Sequence, residues 1–520
     1  MKSLGYQSGK RLPEVFAIVL LIVAASWLRF SGLTDKPLHN DEAVQGYKTG
    51  LLLETGDYRY DPEGHHGPSL YFLDLPIARV RGEKTLAGLS ELSLRLLPAL
   101  AGVATIVAVL LLAPAIGPAN ALLGAAFAAL SPLQAYFSRH YIQEPLLALF
   151  ALLAILALLA YARKPGTLPA AAFGLAAGLI HATKETCLIL GLSLAIALIA
   201  EGLLDREATR SRLRVLFQDR HPFRDLLAAL LCGTLVSFLF HSSFLEHPAG
   251  FIDAFRAYLH GAEQAALPEH QKPLLYYLGL LVGGPAAGRF WSESLILVLA
   301  GIGWVRTLTG PDRTIPAHHS LRLIGSASIV QLVVYSLIPY KTPWLLIVPG
   351  LGLCILAGSG AALILRVLGR QHALGIIGAL GLALGLAHLG LQARRACGPY
   401  AADPRNPYAY VQTVTDILKA PLRIGALSEV AGRPLRIKVI GEEYWPLPWY
   451  LRMYPATGYW STPPPDADAD VVISTAGLDD RVEASLKDAY QAEFIGLRPG
   501  VVLILRTRMD LWQSYVKTVE

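Results

Sequence analysis

The residues most able to do chemistry stand together in His39-Asn40-Asp41-Glu42-Ala43, directly after the first long apolar segment, Val15 to Phe30. Adjacent carboxylates repel, and partial burial raises the pKa of at least one of them. A carboxylate held in this way suits a general base that takes a proton from an acceptor hydroxyl. The plainer reading is a helix N-cap, with Asn40 or Asp41 satisfying the first backbone N–H groups of a helix that begins at Ala43. Capping and catalysis are compatible at one position.

Four further polar clusters are distant in sequence. Tyr60-Asp61-Pro62-Glu63-Gly64-His65-His66-Gly67-Pro68 sets paired histidines beside acids. They could ligate a divalent cation, the only cofactor the sequence suggests, but no further ligand has clear spacing. Loop order or substrate contact through His66 is the favoured reading. Ser138-Arg139-His140-Tyr141-Ile142-Gln143-Glu144-Pro145 brings a cation and a carboxylate into one short turn. Its bland reading is a surface Arg–Glu pair of little energetic worth. Thr183-Lys184-Glu185-Thr186 and Tyr340-Lys341-Thr342-Pro343-Trp344 complete the set. A boundary lysine can simply snorkel, and Tyr340 and Trp344 can belong to an aromatic belt.

The elements that must position these clusters are membrane helices. The chain has 520 residues, 53% hydrophobic and only 16% charged, with mean hydropathy +0.45. Soluble domains carry about 25% charged residues. Apolar runs near the roughly 20-residue spanning length recur, so the expected fold class is a polytopic α-helical membrane protein. About eleven helices are expected, near 13–30, 92–113, 118–137, 145–162, 168–182, 186–204, 225–241, 291–306, 322–339, 344–366 and 372–392. No small-residue cleavage site follows the first, which reads as a retained helix. Lys2, Lys10 and Arg11 put the N-terminus in the cytoplasm. Arg163, Lys164, the 205–224 loop with Arg206, Arg210, Arg212, Arg214, Arg220 and Arg224, then Arg306, Arg313, Arg322, Arg366 and Arg370 fall inside by the same rule.

On this count all five polar clusters lie on the external face. Residues 1–393 form a membrane domain with long external loops 31–90 and 242–290, and residues 394–520 a small external domain. Glu42–Glu54 and Pro68–Arg79 read as amphipathic surface pieces, and Leu274–Val282 as re-entrant or interfacial. In the last part, Leu435–Ile440, Val471–Ile473 and Val501–Leu505 read as strands. Gln412–Leu418, Trp449–Tyr454 and Arg481–Tyr490 read as helices, an α/β alternation. Asp466, Asp468 and Asp470 lack the glycine and distal glutamate of a calcium loop and read as a solvated loop. The four cysteines form no metal-type pair and no disulfide framework. The net charge of +6 reflects short basic loops between helices and not a nucleic-acid surface.

Arg139, Lys184 and Lys341, counted to one membrane face beside Asp41, Glu42, Glu144 and Glu185, suit a phosphate or diphosphate at the lipid interface. A leaving phosphate needs its developing charge stabilised. No Walker loop or dinucleotide glycine fingerprint occurs. An activated lipid-linked donor therefore fits better than a nucleotide sugar.

Those residues carry a resemblance. A helix, an external Asp-Glu, a long loop with His-Gly-Pro, then Arg and Glu in the second external loop resemble the GT-C membrane glycosyltransferases. The protein O-mannosyltransferases and the lipid A aminoarabinose transferase are similar in pattern. The prokaryotic flippase activity-associated family is more similar still, through His39-Asn40-Asp41-Glu42-Ala43, His66-Gly67-Pro68, Tyr340-Lys341-Thr342-Pro343-Trp344 and Trp445-Pro446-Leu447-Pro448-Trp449-Tyr450. The resemblance covers nearly the whole chain. It implies inverting transfer of a sugar from a polyprenyl-phosphate donor to a glycan, lipid or protein acceptor at the external face. It makes Asp41 the base or acceptor-positioning carboxylate, Glu42 its support, Glu144 the second-loop acid and Arg139 its neighbouring cation. His39, His66, Lys184, Glu185, Tyr340 and Lys341 are expected to contact substrate or phosphate. The mannosyl and aminoarabinose enzymes carry Pro-Pro where this chain has Gly67-Pro68.

Two other function classes compete with the enzyme. A non-enzymatic accessory or transporter for lipid-linked oligosaccharide would need polar groups along a mid-membrane path. His181 and Gln331 are the deepest candidates, and each reads as a hydrogen-bonded packing residue. A receptor built on the last domain is the weakest alternative. Trp445 to Tyr450 could contact sugar, but aromatic packing explains it equally.

Overall fold

A computed structural model describes residues 8–64, 66–207, 210, 221–266, 270–286, 289–309 and 315–519. Lys2, His65, Arg212, Arg214, Arg220 and Arg313 lie outside the described residues. Among the described residues, eight helices are long and apolar enough to cross a membrane. Three shorter apolar helices, Pro118–Leu130, Thr167–His181 and Ser294–Thr309, accompany them. Helices thus occupy each of the eleven segments expected from hydropathy, although 118–137 breaks at Ser131 into Pro118–Leu130 and Pro132–Phe137, and the chain is an integral membrane protein.

The described chain divides into two compact units. A helical unit comprises Met1–Leu33, Asp57–Ile77 and Arg95–Gly398. A mixed unit comprises Thr34–Gly56, Ala78–Leu94 and Pro399–Glu520. The division expected at residue 393 falls at Gly398, and two segments of the 31–90 loop pack with the C-terminal residues. Leu38 N donates to Tyr450 Oη at 2.9 Å, and Arg452 donates to the carbonyls of Leu86 and Leu89. Such ties are invisible in sequence, where the partners stand more than 360 residues apart.

In the helical unit, the helix Pro343–Leu368 has 67% of its apolar window buried and His372–Cys397 only 6%. The first is therefore a packed centre and the second a lipid-facing flank. The central helix is rich in small residues, Gly350, Gly352, Gly358, Ser359 and Gly360, which let neighbouring backbones approach where no hydrophobic effect drives association. Outward apolar side chains such as Phe16, Leu230 and Leu384 are exposed, as lipid contact requires. Within 242–290, the amphipathic helix Gly250–Ala266 precedes the short helix Tyr276–Val282 and a strand pair, β1 (Gly284–Ala286) and β2 (Arg289–Trp291).

In the mixed unit, Asn40–Thr55 is a helix and the C-terminal residues build a five-stranded sheet. Its strands are β3 (Ile437–Ile440), β4 (Thr457–Trp460), β5 (Val471–Thr475), β6 (Tyr490–Arg498) and β7 (Val501–Arg508), in spatial order β4-β3-β5-β7-β6. β3, β4 and β5 run parallel; β7 is antiparallel to β5 and β6. The core joins Val439, Ile473 and Leu505 of the sheet to Ile424 and Leu427 of the helix Lys419–Ala431.

Several local expectations are corrected. Arg481–Tyr490 does not run as one helix: the helix is Asp479–Glu483, and Tyr490 starts β6. That strand opens on the mixed stretch Tyr490-Gln491-Ala492-Glu493 and buries only Ile495 and Leu497 at the sheet edge, so its apolar run is short. Gln412–Leu418 is helical only as a 3-10 turn at Thr415–Leu418. The acidic 466–470 stretch is not simply solvated. Asp470 is fully buried, accepts from Arg433 at 2.7 and 2.8 Å and from Arg436 N at 2.9 Å, and is held at about 2 chiefly by Arg433. Asp468 accepts from Lys487 N and Tyr490 Oη.

Candidate active site

The Asp41 stretch is built from its own chain upward. His39, in extended conformation, is the N-cap of Asn40–Thr55, so the helix begins three residues earlier than expected and neither Asn40 nor Asp41 is the cap. His39 Nδ1 accepts from Asp41 N at 3.1 Å, which leaves Nε2 protonated and facing Tyr410 O at 3.2 Å. Glu42 closes the capping box: its Oε2 accepts from His39 N at 3.0 Å and from Lys36 Nζ at 2.8 Å. A buried carboxylate needs such partners, and Glu42 is fully buried. Glu42 and His39 thus set the frame. Asp41 differs: its side chain is 36% exposed, with Asn40 Nδ2 at 3.4 Å and the His39 ring at 3.9 Å. It stands in the first turn, where the helix dipole favours negative charge.

In the helical unit the structure brings His66, Glu144, Lys184 and Glu185 together. Lys184, on the turn between Thr167–His181 and Cys187–Leu204, is buried and ion-paired to Glu144, which begins the helix Glu144–Arg163. Glu185, next in the chain, accepts from His66 Nδ1 at 2.9 Å with both side chains part-exposed. Burial works against the Lys184 ammonium, but Glu144 and Glu185 outweigh it and hold its pKa above the ordinary value. Burial would likewise raise the Glu185 carboxyl, yet His66 and Lys184 bring it down to about 2. The loop carrying His66 reaches this turn through Gly67. A Cβ there would come within 2.5 Å of Ala182 C and 2.8 Å of Thr183 C. Ser69 then donates its N–H to Ala182 O at 2.9 Å, and its hydroxyl meets Thr183 Oγ1 at 2.8 Å. Gly67-Pro68 is therefore the form this close approach requires.

The other two expected phosphate cations are differently employed. Arg139 is buried, and Glu144 is ion-paired to Lys184. Its guanidinium donates to the carbonyls of Leu28, Arg29, Ser31 and Gly32, at the end of the helix Ser8–Phe30, where cations complement the helix terminus. Lys341 is buried and donates to Lys272 O at 3.1 Å and Ile338 O at 2.5 Å. Tyr340 bridges Gln271 in antiparallel pairing and packs edge-on to His270 at 5.2 Å. These residues tie loop 270–272 to the end of the helix Pro316–Leu337.

A cavity of about 300 Å³ lies between the helices and is lined almost wholly by apolar side chains. Ile180, His181, Cys187 and Leu188 are in its wall, so the turn bearing Lys184 and Glu185 runs between two of its lining pairs. Tyr258 and Gln331 add polar groups. Tyr258 Oη lies 3.3 Å from Cys187 Sγ, Gln331 Nε2 donates to Tyr335 Oη at 3.3 Å, and His181 Nδ1 meets Ser237 Oγ at 2.6 Å. His181 and Gln331 are thus hydrogen-bonded, as expected, and also face a cavity, which sequence reasoning missed. It missed Lys36 too, although a cation six residues before a buried acid was a readable signal. For a metal, the exposed Asp57 and Glu246 and the half-buried His247 gather within 4.8 Å, a grouping of a kind common on surfaces without an ion.

Comparison with known proteins bears on this geometry. The profile of the family described as dolichyl-phosphate-mannose-protein mannosyltransferase matches residues 80–218. A crystal structure of ArnT from Cupriavidus metallidurans bound to undecaprenyl phosphate superimposes with TM-score 0.60 at 16% identity, covering 94% of this chain and 97% of that one. The oligosaccharyltransferase AglB from Archaeoglobus fulgidus, with an inhibitory peptide and a dolichol-phosphate, gives TM-score 0.55 at 12% identity, covering 97% of this chain and 77% of that one. No curated protein matches in sequence. The chain has the GT-C fold and resembles the mannosyl- and aminoarabinose transferases.

Proposed function

We propose that this GT-C-type membrane glycosyltransferase moves a sugar from a polyprenyl-phosphate donor to an acceptor hydroxyl at the external membrane face, with Asp41 as base. The observation that carries the reading is an apolar cavity lined by Ile180, His181, Cys187 and Leu188, the residues that flank the charged Lys184–Glu185 turn in the chain. A lipid tail needs an apolar enclosure of a few hundred Å³, and its phosphate needs polar groups at the mouth. Relatives of the same fold bound to undecaprenyl phosphate and dolichol-phosphate support the same lipid class.

In the reaction, the acceptor hydroxyl gives its proton to the Asp41 carboxylate and its oxygen attacks the anomeric carbon. The bond from that carbon to the phosphate oxygen breaks, and the polyprenyl phosphate leaves with the electron pair. Attack opposite the leaving group inverts the anomeric centre. Arg139, Lys184 and Lys341 are already engaged by carbonyls and by Glu144, so the phosphate contact falls to His66. Glu185 accepts from His66 Nδ1, and in the doubly protonated ring the Nε2–H is the donor offered to a phosphate oxygen. Glu42, through His39 and Lys36, holds the backbone that presents Asp41.

The test is Asp41→Asn in membranes supplied with a panel of polyprenyl-phosphate monosaccharides, mannose included. Transfer should fall by about 10²–10⁴, the range for a lost general base, with unchanged expression and folding. Wild-type rates in the variant would remove Asp41 as base. Vesicles in which the wild-type protein translocates the labelled lipid without releasing polyprenyl phosphate would overturn the enzyme reading.

A further inference from the structure

The mixed unit carries a second candidate site. β4 and β5 flank β3 on opposite sides and both run parallel to it, so the strand order reverses at β3. In open α/β sheets such a reversal opens a crevice beyond the carboxyl ends of the strands, and ligands bind there. At that end of this sheet stand Gly441 to Trp445 after β3 and Thr475 of β5. Gly441 has φ +138, and a Cβ on it would lie 2.7 Å from Thr475 Oγ1. The two strand ends therefore meet through a residue that must be glycine.

Four part-exposed rings extend from this edge. Tyr47 lies edge-on to Trp445 at 6.0 Å, Trp445 stacks with Tyr444 at 6.3 Å, and Tyr444 tilts against Tyr459 at 5.1 Å. Trp449, in the same aromatic motif, is fully buried; core packing accounts for it but leaves Trp445 at the surface. Glu442 is exposed and makes no hydrogen bond or ion pair among the described residues. Glu443, also exposed, holds Arg498 at 2.7 Å.

These groups select the ligand. The rings offer flat apolar faces with polar tips. An ionised carboxylate only accepts hydrogen bonds, so Glu442 seeks a hydroxyl or an ammonium. A phosphate is repelled by Glu442 and Glu443, and Arg498 is already held. A pyranose has one apolar C–H face and a rim of hydroxyl donors, which matches both features. We propose that the carboxyl end of β3 binds a neutral sugar unit of the acceptor, stacked on Trp445 with a hydroxyl donated to Glu442. Its place as an acceptor subsite rests on the glycosyl-transfer reading: Tyr47 belongs to the helix that carries Asp41.

The test is saturation-transfer NMR on the full chain in lipid nanodiscs, with the methyl glycosides of glucose, galactose, mannose and N-acetylglucosamine as probes. Wild type should saturate the ring protons of at least one glycoside. Trp445→Ala should reduce that signal about five-fold, the scale of one ring contact, and Glu442→Gln should also reduce it. Glu442 is exposed, so that variant folds and keeps the test decisive if Trp445→Ala does not. Asp41→Asn should bind the sugar like wild type, which separates loss of transfer from loss of this subsite. Equal signals in wild type, Trp445→Ala and Glu442→Gln would overturn the proposal. So would no signal from any glycoside, or binding of glucosamine with none of the neutral sugars, which would mark a cation–aromatic site instead.

Discussion

In the mixed unit, Glu42 is buried against Lys36 while its neighbour Asp41 is about a third exposed. In the helical unit, Lys184 is buried against Glu144 while its neighbour Glu185 reaches part-exposed to His66. Both doublets stand at or just before a helix start, and both divide one task. A buried charge needs a counter-charge to repay its lost hydration, so the buried member fixes the backbone. The other member is then presented in a set direction. The difference lies in what it meets: Asp41 keeps only loose polar neighbours, whereas Glu185 is committed to an imidazole. A loosely held carboxylate suits proton abstraction, and a committed one suits the orientation of a second residue.

The largest expected effect tests the buried members. Glu144→Ala leaves the Lys184 ammonium buried without its partner and should destabilise the protein by about 3–5 kcal/mol; Glu42→Ala should do the same to Lys36, with loss of the capping box added. Thermal unfolding in nanodiscs measures both. A wild-type midpoint in Glu144→Ala would mean that Lys184 is available to a phosphate after all, and the division of labour would fail in the helical unit. Next in size, His66→Ala should lower transfer by about 10²–10³, as removal of one donor to a developing oxyanion does, while its unfolding midpoint falls only by the small amount that loss of the Glu185 contact predicts. An equal fall in stability would make His66 a loop-ordering residue only.

How much was legible follows from what each signal encodes. The eleven apolar segments were readable because a spanning helix announces itself by length and hydropathy alone. Asp41, His66 and Glu185 were readable because polar clusters at helix exits are scarce in such a chain. The partners were not. Adjacency suggested an Arg139–Glu144 pair, but Arg139 lies on the carbonyls of Leu28 to Gly32 and Glu144 on Lys184, 40 positions away. The census of charges at helix ends could not tell a cation awaiting phosphate from one already capping a helix. In the last domain, buried β3, β5 and β7 showed as apolar runs, while β4, with no fully buried residue, and the edge strand β6 did not. The attachment of Asn40–Thr55 to the C-terminal residues depends on Tyr450 and Trp449, whose partners only folding reveals.

The smallest effect sharpens the comparison through pH. In the folded chain Glu185 titrates at about 2 against an ordinary value of 4.5. The folded value is depressed, so its contribution to stability is complete above about 4.5 and is lost as pH falls through that window toward 2. Glu185→Gln removes the titration altogether. The gap between the unfolding midpoints of wild type and Glu185→Gln should therefore narrow steadily as pH falls from about 4.5 toward 3. Asp470, also held at about 2 by Arg433, weakens the mixed unit over the same range, but it does so in both proteins and cancels in the difference. A gap that does not change with pH would show that Glu185 holds His66 by packing and not by charge. Its likeness to the Lys36–Glu42 side of the molecule would then end at burial.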